Sequence, residues 1–311
     1  MSSPSAVVAV DLGKSRCRVV VSEPDAVTGR RSTRRSLRDG VGAPGLAAAG
    51  GVSAALDSIL PLTAHLDVPI SSISVGAAGA WTSPTAASEL ARRLADTMGV
   101  PAAVTSDVVS AHAGALDGDA GVLLVAGTGA AALGIDGVEG GRATLVDGWG
   151  PELGDFGSGS WFGRETLRAV LRASVGLGPS TALTDAVAMP IGAPSAFQAW
   201  LAQEGSLPRR LATLAPLVLD AAESGDSIAA EIAAEGIRLL TASAVAASSR
   251  SDRVALHGGL TEHVWFRAGI EEALRAADRT VVVPAGDALD GALLLADRTD
   301  LPHERFVHRA E

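Results

Sequence analysis

VVAVDLGKSRCRVVV (residues 7–21) and VLLVAGTGAAALGI (residues 122–135) are one local design written twice in a chain of 311 residues. Each runs as an apolar strand, a turn containing glycine, and a second apolar strand. β-Branched residues at this density suit buried strands. Elsewhere short apolar blocks alternate with helical patterns, which implies α/β layers. Strands are expected at 7–11, 19–21, 73–75, 102–105, 122–126, 131–135, 143–147, 254–256 and 281–283. Helices are expected at 46–66 with a break at Pro61, and at 85–98, where Leu90, Leu94 and Met98 recur at helical spacing. From about 158 onward the chain reads as mostly helical, with an apolar stripe of Leu167, Val170, Leu171 and Val175 and further helices at 194–202, 208–223, 227–247, 262–277 and 287–296. Arg164, Arg168 and Arg172 read as a solvated ridge. Two similar openings predict a duplicated α/β fold of two lobes with a cleft between them, the second lobe helix-rich. The loop-like ALDGDAG at 115–121 sets the lobes at 1–117 and 118–311, and the tail 298–311 reads as a surface segment.

Composition excludes several classes. The 25 basic and 35 acidic residues leave a formal charge of −10. A nucleic-acid surface would need a basic face, so no nucleic-acid partner is expected. Any anionic ligand must instead be held locally, by backbone N–H groups, a metal or a few cations. Cys17 is the single cysteine, so no intramolecular disulfide can form, which fits a reducing compartment. MSSPSAVVAVDLGK lacks a basic start, and Asp11 interrupts its apolar run, so it does not read as a secretory leader. No apolar stretch approaches the ~18 residues of a membrane span. A soluble, cytoplasmic protein without a membrane partner is expected. Asn and Tyr are absent, and Lys14 is the one lysine among 25 cations.

Five stretches could carry chemistry. Asp11-Leu-Gly13-Lys14-Ser15 places an acid at the end of a buried strand and a polar turn after it. Backbone N–H groups there can face a phosphate, and the acid can hold Mg²⁺; a hairpin turn with a capping Asp would look the same. The GKS is not a P-loop, which would need glycine at Val8 and a helix next. Gly127-Thr128-Gly129 is the matching turn of the second half, suited to phosphate oxygens or to a plain hairpin. It is not a dinucleotide fingerprint, because Ala132 stands where a third glycine would be. Thr105-Ser106-Asp107 ends a strand just before a helix. Ligands of open α/β sheets bind outside the carboxyl ends of strands, where Asp107 could take a proton; it could equally be a helix cap. DGWGPELGDFGSGSW (147–161) holds five glycines, two tryptophans and the acids Asp147, Glu152 and Asp155. Glycine permits close approach, and acids beside it suit hydroxyls, a metal or a proton in transit. Its D-F-G string is not a protein-kinase signature, since the H-R-D loop and V-A-I-K strand are missing. Last, His257-Gly258-Gly259 follows a late strand, with PAGDALDGA at 284–292 beyond it. A Gly-Gly junction can lie flat against a nucleoside, or simply open a helix. His65, His112, His257, His263, His303 and His308 form no zinc motif, and no G-x-S-x-G elbow is present.

In this order the motifs resemble the actin-like (ribonuclease-H-like) sugar-kinase superfamily, and within it the N-acetylglucosamine kinase family grouped with the BadF/BadG/BcrA/BcrD ATPases, over residues 6–296. The resemblance implies an ATP-dependent kinase of an amino sugar, most simply N-acetylglucosamine at its 6-hydroxyl, using Mg²⁺. It implies that Asp11, Gly13, Lys14 and Ser15 lie on the first phosphate loop, with Asp11 at the metal, and that Gly127, Thr128 and Gly129 form the second. Asp107 would be the catalytic base and would contact the sugar. Gly148, Trp149, Gly150 and Asp155 would bind the sugar with Thr128 nearby, and Gly258 and Gly259 would lie on the nucleoside side. A homodimer is implied as well. The chain departs from the family pattern at Leu12 (usually Gly), Ser15 (Thr), Arg16 (Lys) and Phe156 (often Glu), and has no Asn in 39–46, where one often meets the amino-sugar substituent. Glucosamine or another hexose is the alternative acceptor. An activator ATPase with an iron–sulfur cluster would need four cysteine ligands, and a non-catalytic sugar sensor remains a further reading.

Overall fold

The computed structural model describes residues 6–24, 31–64, 66, 68–137, 142–248 and 250–311; His65 lies outside them. The chain divides into two compact units. One holds both ends of the chain, through Ala120 and again from Pro284; the other holds Gly121–Asp136 and Arg142–Val283. The sequence reading ran the second lobe to residue 311. The last segment belongs with the first unit instead, because its apolar face packs on the first strand.

In the first unit, β1 (Ala6–Leu12) pairs antiparallel with β2 (Arg16–Pro24), and β2 with β3 (Arg31–Val41). α1 (Gly51–Thr63) follows; Pro61 lies inside its last turn and does not break it. β4 (Ile70–Ala77) joins β1 in parallel. α2 (Pro84–Met98) starts with Pro in its first turn and stops at Gly99, whose φ of 68° is the left-handed cap that glycine adopts readily. It buries Leu90 and Leu94 as the spacing predicts. β5 (Ala102–Ser106) adds to β4 in parallel, and α3 (Asp107–Ala115) leaves its carboxyl end.

The second unit repeats the plan. β6 (Gly121–Ala126), β7 (Ala130–Ile135) and β8 (Ala143–Asp147) form an antiparallel series. Helices α4 (Gly159–Ser174), α5 (Leu183–Ala188), α6 (Phe197–Leu201), α7 (Leu207–Ala212), α8 (Ala215–Glu223) and α9 (Ser227–Ala247) come next. The single helix expected at 208–223 is two, because Pro216 opens a new first turn. On α4 Leu167 and Val170 are buried, whereas Leu171 and, at the C-cap, Val175 are exposed, so the expected stripe turns outward toward the helix end. β9 (Arg253–His257), α10 (Val264–Ala276) and β10 (Thr280–Val282) complete the unit, both strands running parallel to β6.

The chain then returns to the first unit with α11 (Ala288–Asp297) and β11 (His308–Ala310). Leu289, Ala292 and Leu293 of α11 bury against Val7, Ala9 and Val20. Gly114 and Gly291 let α3 and α11 meet backbone to backbone; a Cβ at either would overlap the other helix's segment. The tail 298–311, expected on the surface, is built in: β11 pairs with β5, the Thr105 hydroxyl donates to the Phe306 carbonyl at 2.8 Å, and Phe306 stacks on Trp81. His303 is fully buried, its Nε2 2.8 Å from His112 Nδ1. Burial, and then the neighbouring His112, push the His303 imidazole down to about 3, so it stays neutral.

The two sheets share one order, β3-β2-β1-β4-β5 and β8-β7-β6-β9-β10, with β11 added to the first. Three antiparallel strands followed by two parallel ones, twice over, is the duplicated α/β architecture that the two openings predict. Among the described residues no helix is long and apolar enough to cross a membrane.

Candidate functional site

In the first unit the turn after β1 is closed by Gly13 N–H donating to the Arg16 carbonyl at 2.9 Å. Lys14 and Ser15 stand exposed on it, and Ala43 N–H donates to the Gly13 carbonyl from the segment behind. Asp11 lies opposite Arg18 in the hairpin register. Arg18 donates to Asp11 Oδ2 through Nε and Nη2 at 3.0 and 2.7 Å, and to Asp287 Oδ2 through Nη1 at 3.1 Å. Burial works against the Arg18 charge, but the hydrogen bonds and charges of Asp11 and Asp287 outweigh it and hold the guanidinium pKa above its ordinary value. Asp287 is also the N-cap of α11, in a capping box with Asp290.

Asp107 is the first residue of α3, at the carboxyl end of β5. Its Oδ1 accepts from the Ser106 hydroxyl at 3.0 Å and from Val108 N–H at 2.9 Å. Part of its surface stays exposed, yet it sits deep among packed elements. Burial pushes its carboxyl above the ordinary range; the two hydrogen bonds oppose this, Asp11 adds to it, and Lys14 opposes it. The first unit thus puts Asp107 within electrostatic reach of the turn that carries Asp11 and Lys14.

In the second unit Gly127 N–H donates to the Gly129 carbonyl at 2.9 Å. The carbonyls of Gly127 and Thr128 accept from Gly159 N–H and Ser160 N–H, at 2.8 and 3.1 Å, in the first turn of α4. Ser158 caps that helix, its hydroxyl accepting from Trp161 N–H at 3.2 Å. Gly258, at φ 106°, lies against the same turn; a Cβ there would sit 2.9 Å from Gly127 N. Around Gly259 there is open space. A Cβ on Gly129 would fall 2.9 Å from Asp155 Oδ2, so the Asp155 carboxylate lies beside the Gly-Thr-Gly turn. Gly148, Trp149 and Gly150 form the outer part of the 147–161 loop, where Trp149 is 63% exposed and meets Phe156 edge-on. The second unit therefore brings Gly127–Gly129, Asp155 and Gly258 together and leaves Trp149 and Gly259 facing solvent.

Three residues without an assigned role take part: Arg18, Asp287 and Asp147. Arg18 could have been found from the hairpin register, which sets it opposite Asp11. Asp287 touches Arg18 across 269 positions of sequence, beyond any local signal. Asp147 accepts from the backbone amides of Asp155 and Phe156, a contact that no residue pattern reveals.

The chain matches the family described as the BadF/BadG/BcrA/BcrD ATPase family over residues 8–296. It belongs to that family. Within known proteins it is 26% identical over 201 residues to a glucosamine kinase of Vibrio cholerae, covering 63% of this chain and 64% of that one. It is 35% identical over 113 residues to an N-acetyl-D-glucosamine kinase of Dictyostelium discoideum, covering 35% and 34%. The matched region thus spans less than two thirds of either curated relative. Among solved structures, a protein of Chromobacterium violaceum described as a candidate N-acetylglucosamine kinase superposes with a TM-score of 0.74 at 24% identity, over 94% of this chain and 98% of that one. The likeness shows the fold of this chain, which is actin-like.

Proposed function

We propose that this protein is an ATP-dependent kinase that phosphorylates an amino sugar, N-acetylglucosamine at its 6-hydroxyl, with Asp107 as general base. The observation that carries the reading is the raised carboxyl of Asp107 at a strand's carboxyl end, in reach of the turn bearing Asp11 and Lys14. An upward shift makes a carboxylate a better proton acceptor. Membership of an ATPase family and curated relatives named as sugar kinases support the nucleotide and the acceptor.

In the proposed reaction the 6-hydroxyl oxygen bonds to the γ-phosphorus, the bond to the β,γ-bridging oxygen breaks, Asp107 takes the hydroxyl proton, and ADP leaves. Such transfers pass through a loose transition state, so positioning and electrostatics supply most of the catalysis. The first unit contributes Asp107, the amides of Gly13, Lys14 and Ser15, and the Lys14 charge. The second contributes the amides of Gly127–Gly129, the Thr128 hydroxyl, Asp155 as acceptor of sugar hydroxyls on the loop of Gly148, Trp149 and Gly150, and Gly258 and Gly259 against the nucleoside. With a net charge of −10 these local dipoles must outweigh a repulsive field. Among the described residues no group of three or more His, Cys, Asp or Glu could cage a metal. Mg²⁺ in kinases needs none, since one or two carboxylates, water and the nucleotide's phosphates suffice. Asp11 fits that role, and the ion would neutralise phosphate charge. A homodimer in the cytoplasm completes the proposal.

A second acceptor, glucosamine or another hexose, is favoured by the lack of Asn in 39–46. Coupled ADP release with Mg·ATP and a panel of N-acetylglucosamine, glucosamine, N-acetylmuramic acid, glucose and no sugar tests both. Release confined to N-acetylglucosamine is expected. Release with glucosamine alone selects the second reading, and ADP release that ignores the sugar rejects the kinase.

A further inference from the structure

Asp147 closes the glycine loop at its neck. It is the last residue of β8, 3% exposed, with its backbone in the left-handed region at φ 63°. Its Oδ1 accepts from Asp155 N–H at 2.7 Å and its Oδ2 from Phe156 N–H at 2.8 Å. Asp155 is itself left-handed, at φ 55°. Successive amides around such a residue form a concave nest for an anion, and the Asp147 carboxylate fills it. Gly154 passes so close that a Cβ there would overlap that carboxylate. Hydrogen bonds from N–H to an ionised carboxylate are roughly twice as strong as neutral ones. They act here on a segment whose glycines would otherwise let it sample many conformations. The residue whose amide is gripped, Asp155, is the one whose carboxylate lies beside Gly129.

We propose that Asp147 is a positioning residue for the phosphoryl acceptor: by gripping the Asp155 and Phe156 amides it fixes the Asp155 carboxylate where it meets the sugar, and so sets the KM for the sugar rather than the rate of transfer. The proposal rests on the sugar-kinase reading of Asp155.

Two variants and two measurements test it. Asp147→Gly removes both acceptors while accepting the left-handed backbone more easily than Asp does. Asp147→Asn keeps one acceptor and turns an amide N–H₂ toward the other N–H. In both, amide hydrogen exchange at Asp155 and Phe156 should speed up while the rest of the second unit keeps its protection. The sugar KM should rise about 10- to 100-fold, the range for losing hydrogen bonds to a charged group. The kcat and the nucleotide KM should change far less than the sugar KM, because Asp147 bonds the Asp155 and Phe156 amides rather than Asp107 or the Gly127–Gly129 turn. Unchanged exchange at the two amides overturns the grip. Faster exchange with an unchanged sugar KM, or equal rises for sugar and nucleotide, reduces Asp147 to a structural role and overturns the positioning. If the wild-type protein phosphorylates no sugar of the panel, the kinase reading fails and the acceptor role with it, while exchange still reports whether the grip exists.

Discussion

In the first unit the turn after β1 is flanked by charge: Arg18 donates to both Asp11 and Asp287, and Lys14 is exposed at the tip. In the second unit the turn after β6 is held by backbone: the first amides of α4 donate to its carbonyls and Gly258 lies against it. The sheet order around the two is identical. Duplication has therefore preserved the frame and the backbone closure of both turns, Gly13 N–H to the Arg16 carbonyl and Gly127 N–H to the Gly129 carbonyl, while the first alone carries the flanking ion pairs described here. A turn held by ion pairs responds to salt and to single charge changes. One held by amides and glycine responds to sterics instead.

Asp107 is the sharpest test of the first unit. Asp107→Asn and Asp107→Ala should each lower kcat by about 10²–10⁴, the usual contribution of a general base, with nucleotide affinity retained. The sign of the stability effect should be opposite. A carboxyl raised by burial is uncharged at no penalty at low pH, and the fold loses stability as pH rises through the ordinary Asp range, ~3.9, toward the raised value. Asp107→Asn should therefore melt higher than wild type at neutral pH and no higher near pH 3, by calorimetry. Wild-type turnover in a folded variant would remove Asp107 from the reaction. Equal melting at neutral pH would mean that its burial carries no cost.

The steric side of the comparison is read by neighbouring glycines. Gly258→Ala must adopt φ 106° and meets the backbone of Ala126 and Gly127. Strain of that kind costs of order 1–3 kcal/mol, and the Gly-Thr-Gly turn would shift, so nucleotide affinity should fall together with the midpoint of urea unfolding. Gly259→Ala meets nothing within 4 Å and should unfold like wild type. Similar unfolding midpoints for the two would show that the second turn is not held by close backbone contact.

The parts of this picture that were legible in sequence are the local ones. Strand–turn–strand pairs announce themselves by apolar runs around glycine, and α2 by leucines at helical spacing with Pro and Gly at its ends. The β11 strand was not legible because three residues, His308–Ala310, have no period and gain their structure only by pairing with β5. Leu171 and Val175 continue an apolar stripe in sequence, but nothing local says that the partner elements stop short of them. At the candidate site, residue type pointed to Asp11, Asp107 and Asp155. Asp107 is held by its neighbours Ser106 and Val108, whereas Asp11 is held by Arg18 and the Asp155 amide by Asp147, through contacts that residue type does not announce, and Asp287 reaches Arg18 across 269 positions.

The smallest expected effect concerns Arg18. Its side chain and those of Asp11 and Asp287 are each between 20% and 29% exposed, so water screens part of the attraction. A buried ion pair broken by removing one partner costs about 3–5 kcal/mol and an exposed one about 0–1; Arg18→Gln should fall between them, at roughly 1–2 kcal/mol. The loss should shrink as salt rises, because screening weakens both the attraction in wild type and the repulsion left between the two acids in the variant. Urea unfolding at low and high salt measures this directly. The same substitution leaves Asp11 without its counter-ion, so a divalent cation should bind the variant more tightly than wild type in a titration without nucleotide. If the destabilisation is independent of salt and the cation binds no better, Arg18 serves by packing its stem and not by its charge, and the electrostatic half of the contrast between the two turns fails.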